Sequence, residues 1–296
     1  MAPDAAKVTV DVEGRRLSLS SLDKVMYPKT GTTKAEVLDY YARIGPVLLP
    51  HLAGRPVTRV RFPHGVGDLQ FFEKNVPSGV PDWIRRAGRD PVFPLIDDLA
   101  ALTYFANLNS LELHVPQWRY AGVGQDAAAR NPDRLVIDLD PGPSTGLREC
   151  AVAALAVRDR LVGIGLDPVP VTSGSKGLQL YAVLPGLHTS DQIRDTVMQL
   201  AQELTAKYPE LIVWKMAKDL RPGKIFLDWS QNVAAKTTIC PYSLRGRDQP
   251  TVAAPRTWAE VESGSASNCL TQVRMEEVLN RVADLGDLAS VLTATQ

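Results

Sequence analysis

Polar and apolar residues alternate through 8–12 and again through 15–19, on either side of Glu13-Gly14, which is the pattern of a hairpin. Thr33-Lys34-Ala35-Glu36 has the form of a capping box, and Leu38, Tyr41 and Leu48 continue a helix in which Pro46 is expected to kink or end the regular part. Residues 57–62 alternate as a strand with Arg59 and Arg61 on one face. Phe71 and Phe72 are adjacent in a further strand and point to opposite sides, so that one can line the core while the other is exposed. Residues 77–94 read as loop and short helix, 97–109 as a helix, and 111–116 as a strand with Glu112 and His114 on the face opposite Leu111, Leu113 and Val115. The polar stretch 122–133 reads as a linker.

The pattern then becomes regular. An apolar strand at 134–140 runs into Asp138 and Asp140 and stops at Pro141-Gly142. A helix follows with Leu147, Cys150, Ala151, Ala154, Leu155, Leu161 and Val162 on one face, ending near Gly163 and Gly165. Strands at 169–172 and 178–183 are joined by Ser173-Gly174-Ser175-Lys176-Gly177. A second helix carries Ile193, Val197, Leu200, Ala201, Leu204 and Tyr208, and strands at 211–214 and 224–229 follow. Strand, helix, two strands, helix, strand is the ferredoxin-like order, in which the helices cover one face of an antiparallel sheet and leave the other free to build a site. Residues 258–261 and 275–285 read as helical, separated by a Ser/Gly-rich loop at 263–268. The expected class is α+β. An N-terminal portion, 1–130, would pack against a core with C-terminal helices, 131–296, as one unit.

Composition narrows the function classes. Lys plus Arg and Asp plus Glu both total 33, so the whole-molecule charge exerts no long-range pull on nucleic acid, and an anionic partner has to be held locally. Local bias exists at Arg55, Arg59, Arg61 and Lys74, and at Lys215, Lys218, Arg221, Lys224, Lys236, Arg245 and Arg247; such runs are ordinarily solvated faces. Cys150, Cys240 and Cys269 are few and far apart, which fits a reducing cytoplasm and leaves no zinc spacing. No apolar run approaches membrane-spanning length, and the start, residues 1–7, has no apolar segment after a basic one. A cytoplasmic protein with no membrane partner is expected.

Side chains alternate along a strand, so Asp138 and Asp140 share a face with Cα atoms roughly 7 Å apart. Two neighbouring carboxylates repel, and a divalent cation with a preference for oxygen ligands would neutralise both; alone, the pair reads equally as solvated acids entering an Asp-Pro-Gly turn. Asp228, at the end of a second strand with Leu227 and Trp229 on the opposite face, can add a third carboxylate, as a two-cation site requires. The turn 173–177 can offer amides, hydroxyls and an ammonium to a phosphate chain, although it lacks the Walker A spacing. Gln231, Lys236, Arg245 and Arg247 follow Asp228 closely and supply further donors. Acidic metal ligands ringed by phosphate donors point to phosphoryl or nucleotidyl transfer. No Ser-His-Asp set, nucleophile elbow, zinc helix or dinucleotide fingerprint competes. His114 alone reads as structural, and Lys24 and Lys34 alone as surface charge, though Lys34 lies in a helix first turn that favours anions.

The blocks around Asp138 and Asp140, Ser173 to Gly177, Asp228 to Gln231 and Arg245 to Arg247 resemble the polymerase domain of bacterial ATP-dependent DNA ligase D, of the archaeo-eukaryotic primase superfamily. The resemblance extends to Asp23-Lys24, Thr33-Lys34, Phe71-Phe72 and Leu113-His114 and so spans nearly the whole chain. It implies a primase-polymerase fold with a ferredoxin-like, RRM-like catalytic core. It implies too that Asp138, Asp140 and Asp228 hold two divalent metal ions, Mn or Mg. Arg61, His114, Ser173, Lys176, Gln231, Lys236 and Arg245 would bind the nucleoside triphosphate, Lys24 and Lys34 a DNA 5′-phosphate, and Phe71 and Phe72 would stack on the template.

The activity so implied is template-directed addition of nucleotides, preferably ribonucleotides, to a primer 3′-hydroxyl at gapped or broken duplex DNA. Partners would be a Ku-like end-binding protein and a DNA ligase, and the location the bacterial nucleoid. Val60 stands where relatives can carry a lysine facing the nucleotide, and the loop between Trp83 and Phe93 is short. With no evident ligase or phosphoesterase module, a stand-alone gap-filling polymerase is expected. A non-catalytic gap- or end-binding module and a metal-dependent phosphoesterase are the alternatives.

Overall fold

The stretch with the strictest alternation becomes the middle of the main sheet. In the computed structural model, which describes residues 7–293, the chain opens with a hairpin, β1 (Lys7–Val12) and β2 (Arg15–Ser20), and continues through helix α1 (Lys34–Leu52), β3 (Thr58–Arg61), β4 (Phe71–Glu73), helix α2 (Leu99–Asn107) and β5 (Ser110–Val115). Next come β6 (Arg134–Pro141), α3 (Leu147–Val162), β7 (Val169–Thr172), β8 (Leu178–Val183), α4 (Ser190–Lys207), β9 (Ile212–Val213) and β10 (Ile225–Asp228). The chain closes with β11 (Thr238–Ile239), β12 (Ala254–Pro255), α5 (Trp258–Ser267) and α6 (Met275–Leu285), with further short strand pairs between these elements. Most of the start read for a targeting signal, residues 1–6, lies outside the described residues, as do 294–296.

The six-stranded sheet runs β9-β10-β6-β8-β7-β12 and is antiparallel except between β9 and β10. Its four middle strands, with α3 and α4, have the ferredoxin-like order. Period-two alternation divides its residues cleanly. Leu135, Ile137, Leu139, Leu178, Leu180, Ala182, Ile225 and Leu227 pack under the helices with Cys150, Ala154, Val197 and Leu200. Val136, Tyr181, Val169 and Val171 face the other way, into a core shared with Tyr40, Ile44, Phe105 and Leu113. The second face is therefore not free along its length, because the N-terminal portion covers it up to Val136. Only the Asp138–Asp140 end stays open. There a second sheet, β11-β5-β3-β4, stands opposite.

Several local expectations are corrected. Helix α1 runs through Pro46 and Pro50 to Leu52. A proline in a helix interior costs about 3 kcal/mol, but Leu48 and Leu52 beyond it are fully buried, and each such side chain returns about 1.5–3 kcal/mol. Residues 77–94 contain no helix; Val76 N–H donates to the Val92 carbonyl (2.8 Å), and Arg86–Ala87 pairs with Phe93–Pro94. Helix α5 continues through the Ser/Gly-rich stretch to Ser267, because Gly264 lets Leu270 pack against it and Asn268 closes it in the left-handed region at φ 53°. Val162, placed on the buried face of α3, is 55% exposed at the frayed end of that helix. The 122–133 stretch folds back on itself at Tyr120–Ala121 and Ala128–Ala129, and Arg55 and Arg119 grip its end through Asp133, at 2.6 Å each.

Candidate active site

Antiparallel register sets the centre of the site. Asp138 lies directly across from Asp228 on one side and from Gln179 on the other, with Asp140 two residues further along the same face. Burial disfavours the ionised form of Asp138, and the charges of Asp140 and Asp228 add to it, so its carboxyl is held well above the ordinary aspartate range; Gln179 and Arg245 oppose the shift without cancelling it. Asp140 is raised too, by burial and then by Asp228, against Arg221 and Arg245.

The Asp228 carboxylate is engaged by its own neighbours. Oδ1 accepts from the Ser230 amide (2.9 Å) and hydroxyl (2.5 Å), and Oδ2 accepts from the Gln231 side-chain amide (2.9 Å), with the Lys236 ammonium 4.0 Å away. Lys236 itself donates to the Ser230 hydroxyl. Among the described residues, no three His, Cys, Asp or Glu side chains are gathered into a ready cage for a metal ion. The donor chemistry nevertheless fits divalent cations: the candidate ligands are all carboxylate oxygens, and Asp138 and Asp140 are shifted upward by burial and by neighbouring carboxylates that Arg221 and Arg245 offset only in part.

Opposite the carboxylates stand the cations. A cleft of about 260 Å³ is lined by His114, Asp138, Asp140, Ser173, Ser175, Lys176, Gln179, Gln231, Arg245 and Arg247 among others. The turn 173–177 presses against the acidic strand: a Cβ on Gly177 would lie 2.3 Å from the Leu139 carbonyl oxygen, and one on Gly174, at φ +69°, 2.5 Å from Arg245 Cγ. This turn offers fewer free amides than its sequence implies. The Ser173 hydroxyl accepts from the Ser175 and Gly177 amides (3.2 and 3.1 Å), and Gly174 N–H donates to Gln272 (2.7 Å). What it turns toward the cleft is the exposed Lys176 and the Ser175 hydroxyl, which accepts from Arg247 (3.0 Å).

Sequence reasoning missed Glu112 as an organiser of the cleft. Buried on β5, it bonds His114 Nε2 (2.7 Å), lies 3.5 Å from the Arg245 guanidinium and accepts the Gly246 amide (2.9 Å). Burial alone would raise its pKa, yet the His114 hydrogen bond, the Arg245 charge and the Gly246 amide together bring it down to about 2. Glu112 is thus a fixed anion that sets both His114 and Arg245. The only sequence signal was its place two residues from His114 on one face. Arg245 itself is shifted downward by burial, with Glu112 opposing.

The remaining residues do not line the cleft. Arg61 is paired with Glu73 (2.8 Å) and lies over the Phe71 ring, 5.4 Å from its centroid, and it does not line the cleft. Phe71 and Phe72 are 44% and 67% exposed, so neither is in the core: β4 is the edge strand of its sheet. The Phe72 ring is 6.4 Å from that of His114, which places it at the mouth of the cleft. Arg55 and Arg59 are wholly buried, not a solvated face, and Val60, also buried, lies across from Glu112 and Phe72 in the sheet. Lys24 and Lys34 adjoin at the start of α1, where Lys34 N–H donates to the Lys24 carbonyl (2.8 Å). Among the described residues their ammonium groups are held by carbonyls, of Pro63 and Ser20 respectively. Burial and the neighbouring Lys24 lower the Lys34 pKa to about 8.

The chain is similar to a known family and to solved structures. Residues 33–289 match the family described as LigD, primase-polymerase domain. The chain is 47% identical over 284 residues to the multifunctional non-homologous end joining protein LigD of Mycolicibacterium smegmatis, covering 94% of this chain and 36% of that protein. It is 34% identical over 273 residues to the bifunctional LigD of Bacillus subtilis, covering 92% of this chain and 43% of that protein. The chain thus spans well under half the length of these relatives. Among solved structures, the polymerase domain from Mycobacterium tuberculosis Ligase D in complex with DNA matches with a TM-score of 0.89 at 47% identity, over 94% of this chain and 98% of that one.

The fold and the matched family are those of the primase-polymerase class of nucleotidyltransferases. The chain belongs to the LigD primase-polymerase domain family. That membership favours neither the non-catalytic nor the phosphoesterase alternative. Among the described residues, no helix is long and apolar enough to cross a membrane.

Proposed function

We propose that the cleft adds nucleotides, ribonucleotides by preference, to a primer 3′-hydroxyl at gaps or breaks in duplex DNA, copying a template. The observation that carries the reading is the facing of Asp138 and Asp228 across β6 and β10, with Asp138 and Asp140 lining one cleft together with Lys176 and Arg245. Asp138, Asp140 and Asp228 would hold the divalent metals, Mn or Mg. Bound there, such ions lower the pKa of an attacking hydroxyl and stabilise charge on a leaving pyrophosphate.

The chain's own residues bind and orient. Lys176 and Arg245 offer point and fork cations to the triphosphate oxygens, and Glu112 holds the His114 ring so that its Nδ1 side is left for the nucleotide. Gln231 and Lys236 fix the Asp228 carboxylate until a ligand replaces them. The Lys24–Lys34 pair, whose ammonium groups have no acidic partner among the described residues, takes the 5′-phosphate on the far side of a gap. Phe71 and Phe72, exposed on a sheet edge beside the cleft, stack on template bases, which is sequence-tolerant because every base has a π-face. The relatives' names place them in non-homologous end joining, and end joining with a Ku-like protein and a ligase is the cellular role proposed here, in the bacterial cytoplasm at the nucleoid.

The test is a labelled gapped duplex incubated with Mn²⁺ and ribo- or deoxyribonucleoside triphosphates. Extension, faster with ribonucleotides and with a 5′-phosphate in the gap, is the expected result. Shortening of the primer would mark a phosphoesterase, and tight binding without reaction a non-catalytic module.

A further inference from the structure

The two lysines and the catalytic cleft are joined by buried tyrosines that the mechanism does not otherwise use. Tyr27, Tyr40 and Tyr41 are each 0–1% exposed. The Tyr27 hydroxyl donates to the Arg245 carbonyl (2.9 Å), Tyr40 to the Tyr242 carbonyl (2.7 Å) and Tyr41 to the Leu111 carbonyl (2.5 Å). Tyr27 lies three residues from Lys24 in the short strand Val25–Tyr27, which pairs with Thr32–Thr33 immediately before Lys34. The same hairpin makes a second contact with the 242–248 segment through Lys29 and Asp248 (2.5 Å). The Lys24 ammonium rests on the Pro63 carbonyl, and the neighbouring Phe62 ring lies against Gly246, where an added Cβ would come within 2.0 Å of it.

We infer that Tyr27 is a positioning residue that couples occupancy of the Lys24–Lys34 site to the placement of Arg245 in the nucleotide cleft. The inference rests on the functional reading above. Both ammonium groups are bound to backbone carbonyls, so an arriving phosphate competes with Pro63 and Ser20 for them and draws them toward itself. That displacement moves the hairpin, and the Tyr27 hydroxyl is its direct hydrogen bond to the backbone of Arg245. A gap carrying a 5′-phosphate therefore brings the guanidinium into register for the triphosphate, while a gap ending in a hydroxyl leaves it as it is. No bond is made or broken; the effect is on nucleotide binding.

The test is Tyr27→Phe, which removes one hydroxyl and no packing volume, assayed on gaps with a 5′-phosphate and with a 5′-hydroxyl. On the phosphorylated gap the nucleotide KM is expected to rise about 3- to 10-fold, the weight of one neutral buried hydrogen bond, with kcat little changed. On the hydroxyl gap the variant is expected to match the wild type. Equal loss on both gaps, or phosphate dependence fully retained, overturns the coupling. Wild-type enzyme indifferent to the 5′-phosphate overturns the lysine assignment and the coupling with it. Should the variant not fold, the wild-type Arg245 Nε–H resonance decides: it is expected to shift more with 5′-phosphorylated gapped DNA than with its 5′-hydroxyl counterpart, and equal shifts overturn the coupling.

Discussion

Asp138 is held in the fold at a cost that can be measured. Its folded-state pKa lies above the ordinary aspartate value through burial and two neighbouring carboxylates. The stability tied to this proton is therefore complete below the ordinary aspartate range and is lost as pH rises through the raised value. At neutral pH the metal-free protein carries that loss. Asp138→Asn is expected to raise its Tm by a few degrees at neutral pH and to abolish extension. Mn²⁺ is expected to raise the wild-type Tm and leave that of the variant in place, as read by thermal melts with and without the ion. A variant that melts lower than the wild type in metal-free buffer would contradict the account of this carboxyl.

Lys34 has the opposite sign. Its folded pKa is lowered to about 8, so its ammonium form, needed to hold an anion, is complete at neutral pH and is lost as pH rises through that value. The preference for a 5′-phosphate over a 5′-hydroxyl, measured by fluorescence anisotropy on gapped duplexes, is expected to decline above about pH 8. An ordinary surface lysine would hold it about two units further. At this scale the sequence was legible where period two decides, as in the shared face of Asp138 and Asp140. It was silent where partners are distant: Glu112 meets Arg245 from a strand far earlier in the chain, and no local pattern announces that contact.

Among elements, the turn 173–177 matters more for its tightness than for the amides it presents. Gly174 sits at φ +69° with Arg245 and the Val252 backbone where a Cβ would go. Gly174→Ala is expected to destabilise by about 2–4 kcal/mol, left-handed strain and overpacking together. Extension is expected to fall as well, because the turn and Arg245 are pushed apart. Chemical denaturation and nucleotide KM check the two halves of that expectation. The βαββαβ order was readable because each helix and strand buries one regular face. The path of α1 through Pro46 and the α5 helix across its Ser/Gly stretch were not, because tertiary burial of Leu48, Leu52 and Leu270 overrides local breakers. Phe71 and Phe72 both reach solvent because β4 is an edge strand, and edge position is a property of the sheet as a whole.

For the whole molecule, equal numbers of acidic and basic residues leave DNA affinity to a few local contacts. The salt dependence of binding to a 5′-phosphorylated gap is therefore expected to be shallow. Replacing Lys24 and Lys34 together by Ala is expected to reduce the slope of log K against log salt by about 2, roughly one unit for each phosphate-contacting lysine. An unchanged slope would move the 5′-phosphate site elsewhere. What the fold achieves at this scale is to stand two sheets against each other. One supplies the carboxylates, the other supplies His114 and Glu112, and the turn and the 242–247 segment close the cleft between them.

The most direct test of nucleotidyl transfer at this cleft is single-turnover primer extension on a gapped duplex by Asp228→Ala, with DNA binding measured on the same preparation. Extension is expected to fall by about three orders of magnitude or more, since metal-held charge stabilisation is worth several kcal/mol, while DNA affinity stays within about threefold of wild type, the lysine pair and aromatics being untouched. Extension at the wild-type rate by a folded Asp228→Ala protein would contradict the assignment of the β6–β10 carboxylates as the catalytic centre.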